Sequence, residues 1–390
     1  MAIIGNNGNN VLDGGNGNDL IRGLDGDDVL NGKGGNDTLI GDRGSDRSNG
    51  GHGHDRIIWN NGDGSDFNDG GSGHDVQEVN GGDGDEKFAL KAGGHDFLFD
   101  RVSPFPFTLN DQNIEKLELN GNGGKDIFKI HSLAGTDLKE VWFNGGKGHD
   151  ELDGSATEVK IKAWGGDGND KLFGGSADDE LNGDHGDDLL VGNRGNDKHN
   201  GGAGHDTIVW NNGDGSDTNN GGSGTDTQVV NGANQAGDEF VVKAGGNDFL
   251  FDRINLGQFT LNDKNIEKLV VNGGGGDDKF TVKNLAGTDL HKIVFNGGDG
   301  KDVLDASKTH VDIEAYGDKG KDILVGGSGD DKLYGGDGDD VLTGGKGHDI
   351  LKGGAGHDVL TGGLGADIFY KGAGDIITDF QHGIDTVFIV

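Results

Sequence analysis

From Gly317 to Tyr370 the chain reads GDKGKDILV, GGSGDDKLY, GGDGDDVLT, GGKGHDILK, GGAGHDVLT, GGLGADIFY, six nonapeptides with nothing between them. Five more run from Gly165 as GGDGNDKLF, GGSADDELN, GDHGDDLLV, GNRGNDKHN, GGAGHDTIV. A third run, Gly14 to Ile58, reads GGNGNDLIR, GLDGDDVLN, GKGGNDTLI, GDRGSDRSN, GGHGHDRII, with a weaker copy, GNNGNNVLD, from Gly5. The consensus is G-G-x-G-x-D-x-U-x, where U is apolar. Glycine permits a positive φ and leaves backbone carbonyls open in a tight turn. The aspartate offers a carboxylate to a hard cation. The x-U-x segment is a three-residue strand with one side chain pointing inward. Uninterrupted runs at strict spacing identify a repeat architecture before any other feature is read.

Composition agrees. Of 390 residues, 83 are Gly, and apolar residues make up only 31%. Such a chain cannot offset its ordering entropy with a thick core, so something else must hold it. Asp and Glu number 69 against 33 Lys and Arg, a formal net charge of −36. That charge keeps an unliganded chain expanded. It also argues against nucleic acid as a partner, since binding that polymer takes a basic footprint. A divalent cation is the natural partner, and oxygen ligands favour calcium. With no Cys there are no disulfides and no zinc–thiolate sites. No apolar run is long enough for a transmembrane helix, and MAIIGNNGNN at the start lacks the features of a secretory signal.

The nonapeptides resemble the repeats-in-toxin family, also called hemolysin-type calcium-binding repeats. The resemblance implies an all-β fold, a right-handed parallel β-roll or β-helix solenoid that folds on binding calcium, and export by type I secretion machinery. Two nonapeptides make one coil, and the U residues stack between two short parallel sheets. Ions would then be shared between residues i and i+18. The implied metal ligands are Asp19, Asp28, Asp37, Asp46 and Asp55; Asp170, Asp179, Asp188, Asp197 and Asp206; and Asp322, Asp331, Asp340, Asp349, Asp358 and Asp367. Some copies depart from the pattern. Leu24, Lys33, Asp42, Asp184 and Asn193 replace the second glycine, Asn10 replaces the aspartate, and Ser48 and His199 stand where U is expected.

A longer period lies above the short one. HDRIIWNNGDGSD at His54 recurs as HDTIVWNNGDGSD at His205, and FLFDRVSPFPFTLNDQNIEKLELN from Phe97 recurs as FLFDRINLGQFTLNDKNIEKLVVN from Phe249. This divides the chain into a first long unit (1–164), a second (165–316), a third nonapeptide run (317–370) and a C-terminal cap (371–390) that resembles the end of serralysin-like secreted proteins and the tails of type I substrates. Between the runs, Asp126, Asp150, Asp170 and Asp188 are spaced by 24, 20 and 18 residues, as are Asp278, Asp302, Asp322 and Asp340. These aspartates are expected to continue a single calcium edge. The aromatics Phe97, Phe99, Phe105 and Phe107, with Trp59 and Trp210, are expected to pack inside. Histidines at x positions (His52, His54, His74, His149, His205, His348, His357) are expected to face solvent rather than a transition metal.

No H-E-x-x-H helix, G-x-S-x-G elbow or Cys nucleophile is present. The paired carboxylates are already explained by the repeat. The expectation is a non-enzymatic, secreted calcium-binding protein with a structural or surface role. The alternatives are the export and folding module of a larger secreted enzyme, or an adhesin that touches a cell surface or polysaccharide.

Overall fold

The computed structural model describes residues 1–246 and 248–390. Among the described residues there is no helix, and hence none long and apolar enough to cross a membrane. The chain forms two compact units, Met1–Lys198 and His199–Val390. Each is a parallel β-solenoid of two facing sheets.

In the first unit, one sheet runs through Ala2–Ile4, Leu20–Arg22, Thr38–Ile40, Arg56–Asn60, Val76–Asn80, Lys116–Asn120, Glu140–Lys147, Lys160–Asp167 and Glu180–His185, each parallel to the next. The other begins Val11–Asp13, Val29–Gly34, Arg47–His52, Phe67–Ser72 and ends Ile127–Ile130, Glu151–Asp153, Lys171–Phe173, Leu189–Val191. Register steps by whole coils: Leu12 pairs with Leu30, and Leu30 with Ser48. Every inward side chain therefore stacks on its counterpart. Leu30, Leu39, Leu152, Leu172 and Leu190 are fully buried, and burying each contributes about 2 kcal/mol.

The regular coil is interrupted once per unit. Lys87–Gly93, Asp96–Ser103 and Phe107–Gln112 form an antiparallel triplet inserted into the second sheet. Its outer strands pair in parallel with Ile127–Ile130 and Phe67–Ser72. The second unit repeats this with Glu239–Gly245, Asp248–Arg253 and Phe259–Lys264. Phe97, Phe99 and Phe107 are buried, as are Trp59 and Trp210, and Trp59 stacks on Phe107 at 3.9 Å between ring centroids. Phe105 departs from expectation. It lies at the tip of the 103–106 turn with a positive φ of 52° and is 81% exposed.

Ser48 does point inward, at 3% exposure, because it opens a polar column rather than an apolar one. Ser48 pairs with Asn68, and Asn68 with Asp111. The Asn68 amide donates to Asp111 Oδ1 and to Gln77 Oε1, both at 2.9 Å. In the second unit His199, Asn219, Gln228 and Asp263 repeat the arrangement. Burial raises Asp111 to about 7 and Asp263 to about 8, and lowers His199 to about 4.

Candidate metal-binding edges

Most turns of the solenoid end in an acidic residue placed immediately before a strand, and these residues form columns along the two edges. The backbone N–H of one donates to a side-chain carboxylate oxygen of the next. In the first unit, one column runs Asp19, Asp37, Asp55, Asp75 and Glu115, with separations of 2.8, 2.8, 2.7 and 2.7 Å. Another runs Asn10, Asp28, Asp46 and Asp66 at 2.6, 2.7 and 2.9 Å. A third runs Glu86, Asp126, Asp150, Asp170 and Asp188 at 2.9, 2.7, 2.7 and 2.7 Å. The second unit has Asp238, Asp278, Asp302, Asp322, Asp340, Asp358 and Asp375 on one edge. Asp331, Asp349, Asp367 and Asp385 form the other. The spacings of 24, 20 and 18 residues thus do keep one stacked edge.

The second carboxylate oxygen is the informative one. Oδ2 of Asp28, Asp37, Asp46, Asp55 and Asp170 is buried and accepts no hydrogen bond, as are those of Asp322, Asp340, Asp349, Asp358 and Asp367. Burial pushes these acids up, Asp46, Asp170 and Asp322 to about 6 and Asp349 to about 7. An anionic oxygen in that position requires a partner. The first glycine of the repeat lies against it. A Cβ on Gly335 would sit 2.3 Å from Asp340 Oδ2 and 2.5 Å from the carbonyl oxygen of Gly353. The glycine therefore keeps open a cradle in which a carboxylate and a carbonyl oxygen from successive coils converge. These are the oxygen donors that a hard cation takes. Among the described residues no three His, Asp or Glu side chains converge on one point, so backbone carbonyls must complete any ligand set.

Three of the expected ligands differ. Asp19 Oδ1 receives the chain's own N-terminal ammonium at 2.7 Å, which holds its carboxyl below the usual range, and Oδ2 accepts from Gly15 N–H. Oδ2 of Asp179 and of Asp331 accepts from the N–H of Gly175 and Gly327, each at 2.6 Å. In both cases the preceding coil has no acidic turn on that edge. Ile161 and Ile313 donate to Oδ1 instead. Asp188, Asp197 and Asp206 are buried within their columns.

The motif list missed Asp66, Asp75, Glu86, Glu115, Asp226, Asp238 and Glu267, which occupy equivalent places. GGSGHD at 70–75 and GGSGTD at 221–226 carried the signal, displaced because the interval from the previous aspartate is 20. The second-glycine positions behave as their chemistry requires. Leu24, Lys33, Asp42, Asp184 and Asn193 all have φ between 63° and 83°. The histidines are exposed but not idle. His54 Nδ1 accepts His74 N–H at 2.9 Å, and His149 Nδ1 accepts Asn169 N–H at 2.7 Å. His205 and His348 do the same for Thr225 and Ala366. Asn18 and Asn36 play this part elsewhere. The position before the aspartate thus often supplies an acceptor, although Lys125, Lys301, Lys321 and Ala366 also stand there.

Five stretches, 4–39, 22–57, 164–198, 316–351 and 343–375, match the profile of the RTX calcium-binding nonapeptide repeat, which spans four copies of the motif. The chain carries RTX calcium-binding repeats. With the two-sheet parallel solenoid, these matched stretches support a calcium-binding β-roll. No curated protein matches the chain. Residues 58–163 and 199–315, which include the inserted triplets, lie outside these stretches.

Proposed function

We propose that the chain is an extracellular calcium-binding β-roll that folds on binding calcium after export by a type I secretion machine. We assign it a structural or surface role and no catalysis of its own. The observation that carries this reading is the column of buried carboxylate oxygens with no hydrogen-bond partner at Asp28, Asp37, Asp46, Asp55, Asp170, Asp322, Asp340, Asp349, Asp358 and Asp367.

An unpaired buried carboxylate costs several kcal/mol. Calcium, when bound, supplies the positive charge those oxygens lack. The residues that would hold it are these aspartates, whose Oδ2 lacks a hydrogen-bond partner, with carbonyl oxygens of the adjoining glycine turns. Without it, a net charge of −36 favours the expanded chain. Folding and binding then form one linked equilibrium, because the ligand favours only the ordered turns. Extracellular modules bind calcium at about 10⁻⁴–10⁻³ M, a range that leaves the chain loose inside a cell and ordered outside it. Asp19, Asp179 and Asp331 are the weaker ligands, since their Oδ2 is already engaged.

Far-UV circular dichroism during a calcium titration, with magnesium as the control, tests this. A cooperative gain of β signal with calcium alone is expected. A chain fully folded in excess chelator would refute the switch.

A further inference from the structure

The two compact units differ at two places, and each difference supplies one half of a contact. The first place is the turn at the tip of the antiparallel triplet. Phe105 and Gly257 hold the same position in FLFDRVSPFPFTLN and FLFDRINLGQFTLN. Arg101 Nε donates to the carbonyl of Phe105 at 3.1 Å, and Arg253 Nε to that of Gly257 at 3.2 Å. Both residues have a φ of 52°. Glycine adopts that backbone freely, whereas a bulky aromatic residue is strained in it. The Phe105 ring gains no burial to offset the strain, since it stands out in solvent. Val102 and the chain's only prolines, Pro104 and Pro106, are exposed beside it, and residues 102–107 carry no charge. Strain of this kind persists at positions that serve a function.

The second place is a groove on the outer face of the strands Asp312–Lys319, Lys332–Asp337 and Ile350–Ala355. Tyr316 and Tyr334 pair across two of these strands, and their rings stack at 4.9 Å with 9° between planes. Gly336 and Gly354 pair beside them and, lacking Cβ atoms, form the floor of a cavity of about 450 Å³. Asp337 and Lys352 stand at its rim. In the first unit Trp164, Asn182 and Asp184 occupy the places of Tyr316, Tyr334 and Gly336. An amide there replaces the second ring, and a carboxylate stands over the floor.

We propose that Phe105 of one copy of the chain seats in the Tyr316–Tyr334 groove of a second copy. Aromatic-lined grooves take proline-flanked segments, and an aromatic anchor in a pocket carries most of the energy of such contacts. The uncharged tip meets the groove without like-charge repulsion at the point of contact, which few turns of a chain with a net charge of −36 could do. The two surfaces are different, one from each copy, so the contact is heterologous. It is also small, and association on the order of 10–100 μM is expected. The inference goes beyond the calcium reading and uses calcium only to keep the coils ordered.

Sedimentation velocity of the full chain in saturating calcium, over a range of protein concentrations, tests it. The wild-type mass should rise with concentration. Phe105→Gly and Tyr334→Asn install the residue that the other unit carries, and each variant alone should remain a monomer. A mixture of the two should form heterodimers, because one variant keeps the groove and the other keeps the tip. Those heterodimers also show that both variants fold. A wild-type chain that stays monomeric throughout overturns the inference, as does either variant that assembles like the wild type. A mixture that stays monomeric overturns it too. Wild-type monomers that float with phosphatidylcholine vesicles, and lose this in Phe105→Gly, would assign the tip to a lipid surface and refute the self-contact.

Discussion

Arg101 and Glu86 meet inside the first unit at 2.7 Å between Nη1 and Oε1, with side chains only 4% and 3% exposed. The guanidinium also donates to Asn61 Oδ1 at 2.7 Å and to the carbonyl of Phe105 at 3.1 Å, and it stacks over Trp59 and Phe107. Removing one partner of such a pair strands the other. Arg101→Met is expected to cost ~3–5 kcal/mol, and Arg101→Met/Glu86→Leu much less, because replacing both partners leaves no buried charge. Urea denaturation in saturating calcium measures both, and equal losses would show that Arg101 acts through packing alone.

Glycines separate by position. Gly335→Ala puts a methyl 2.3 Å from Asp340 Oδ2 and 2.5 Å from the Gly353 carbonyl, so backbone must move. A cost of about 2 kcal/mol or more is expected, together with weaker calcium binding. At Gly17 a Cβ would meet nothing within 4 Å, and φ is not positive there. Gly17→Ala is expected to stabilise by up to ~1 kcal/mol through the unfolded chain. Thermal unfolding at fixed calcium ranks the two.

The interior polar columns give a pH dependence separate from the edges. Burial raises Asp111 to about 7 and Asp263 to about 8 in the folded protein. A carboxyl with a raised folded pKa prefers its proton in the fold. Its stabilising contribution is complete below its unfolded value near 4 and is lost as pH rises through 7 to 8. Full ionisation of Asp111 in the fold costs on the order of 4 kcal/mol. Asp111→Asn/Asp263→Asn should lessen the fall in stability between pH 4 and 9 and leave the variant the more stable form at pH 9. Unchanged pH dependence in urea melts would contradict this.

His149 should be replaceable by Asn, which fills the same place at Asn36, but not by Phe, which offers no acceptor to Asn169 N–H. The Phe variant should lose up to ~1 kcal/mol and speed exchange of the Asn169 amide, read by hydrogen exchange. Equal behaviour of the two variants would return this position to a solvated one.

The nonapeptide register made the parallel coil legible, because a fixed Gly-Asp-U order leaves one inward position per strand. The intervals between Asp126, Asp150 and Asp170 were legible for the same reason. The antiparallel triplet was not. Its strands alternate like any others, and only the pairing of Phe97 with Asp111 and with Ala92 shows that the chain doubles back. Ser48 and His199 looked like defects one at a time. Their meaning lies in Asn68, Asp111, Gln77 and their counterparts, which are distant in sequence. Arg101 carried no motif, since its partner Glu86 stands in GGDGDE, where glutamate hides an otherwise regular turn.

The spacing between rungs varies widely while the contact does not. Asp28 to Asp46 spans 18 residues, Asp126 to Asp150 spans 24 and Glu86 to Asp126 spans 40, yet the N–H to oxygen distances are 2.7, 2.7 and 2.9 Å. Extra chain is absorbed elsewhere in the coil without stretching the column. The scaffold is therefore a display frame. Foreign peptides spliced at 103–106, beside the outward Phe105, would ride on a lattice whose pitch is fixed by the coil and not by the length of the cargo.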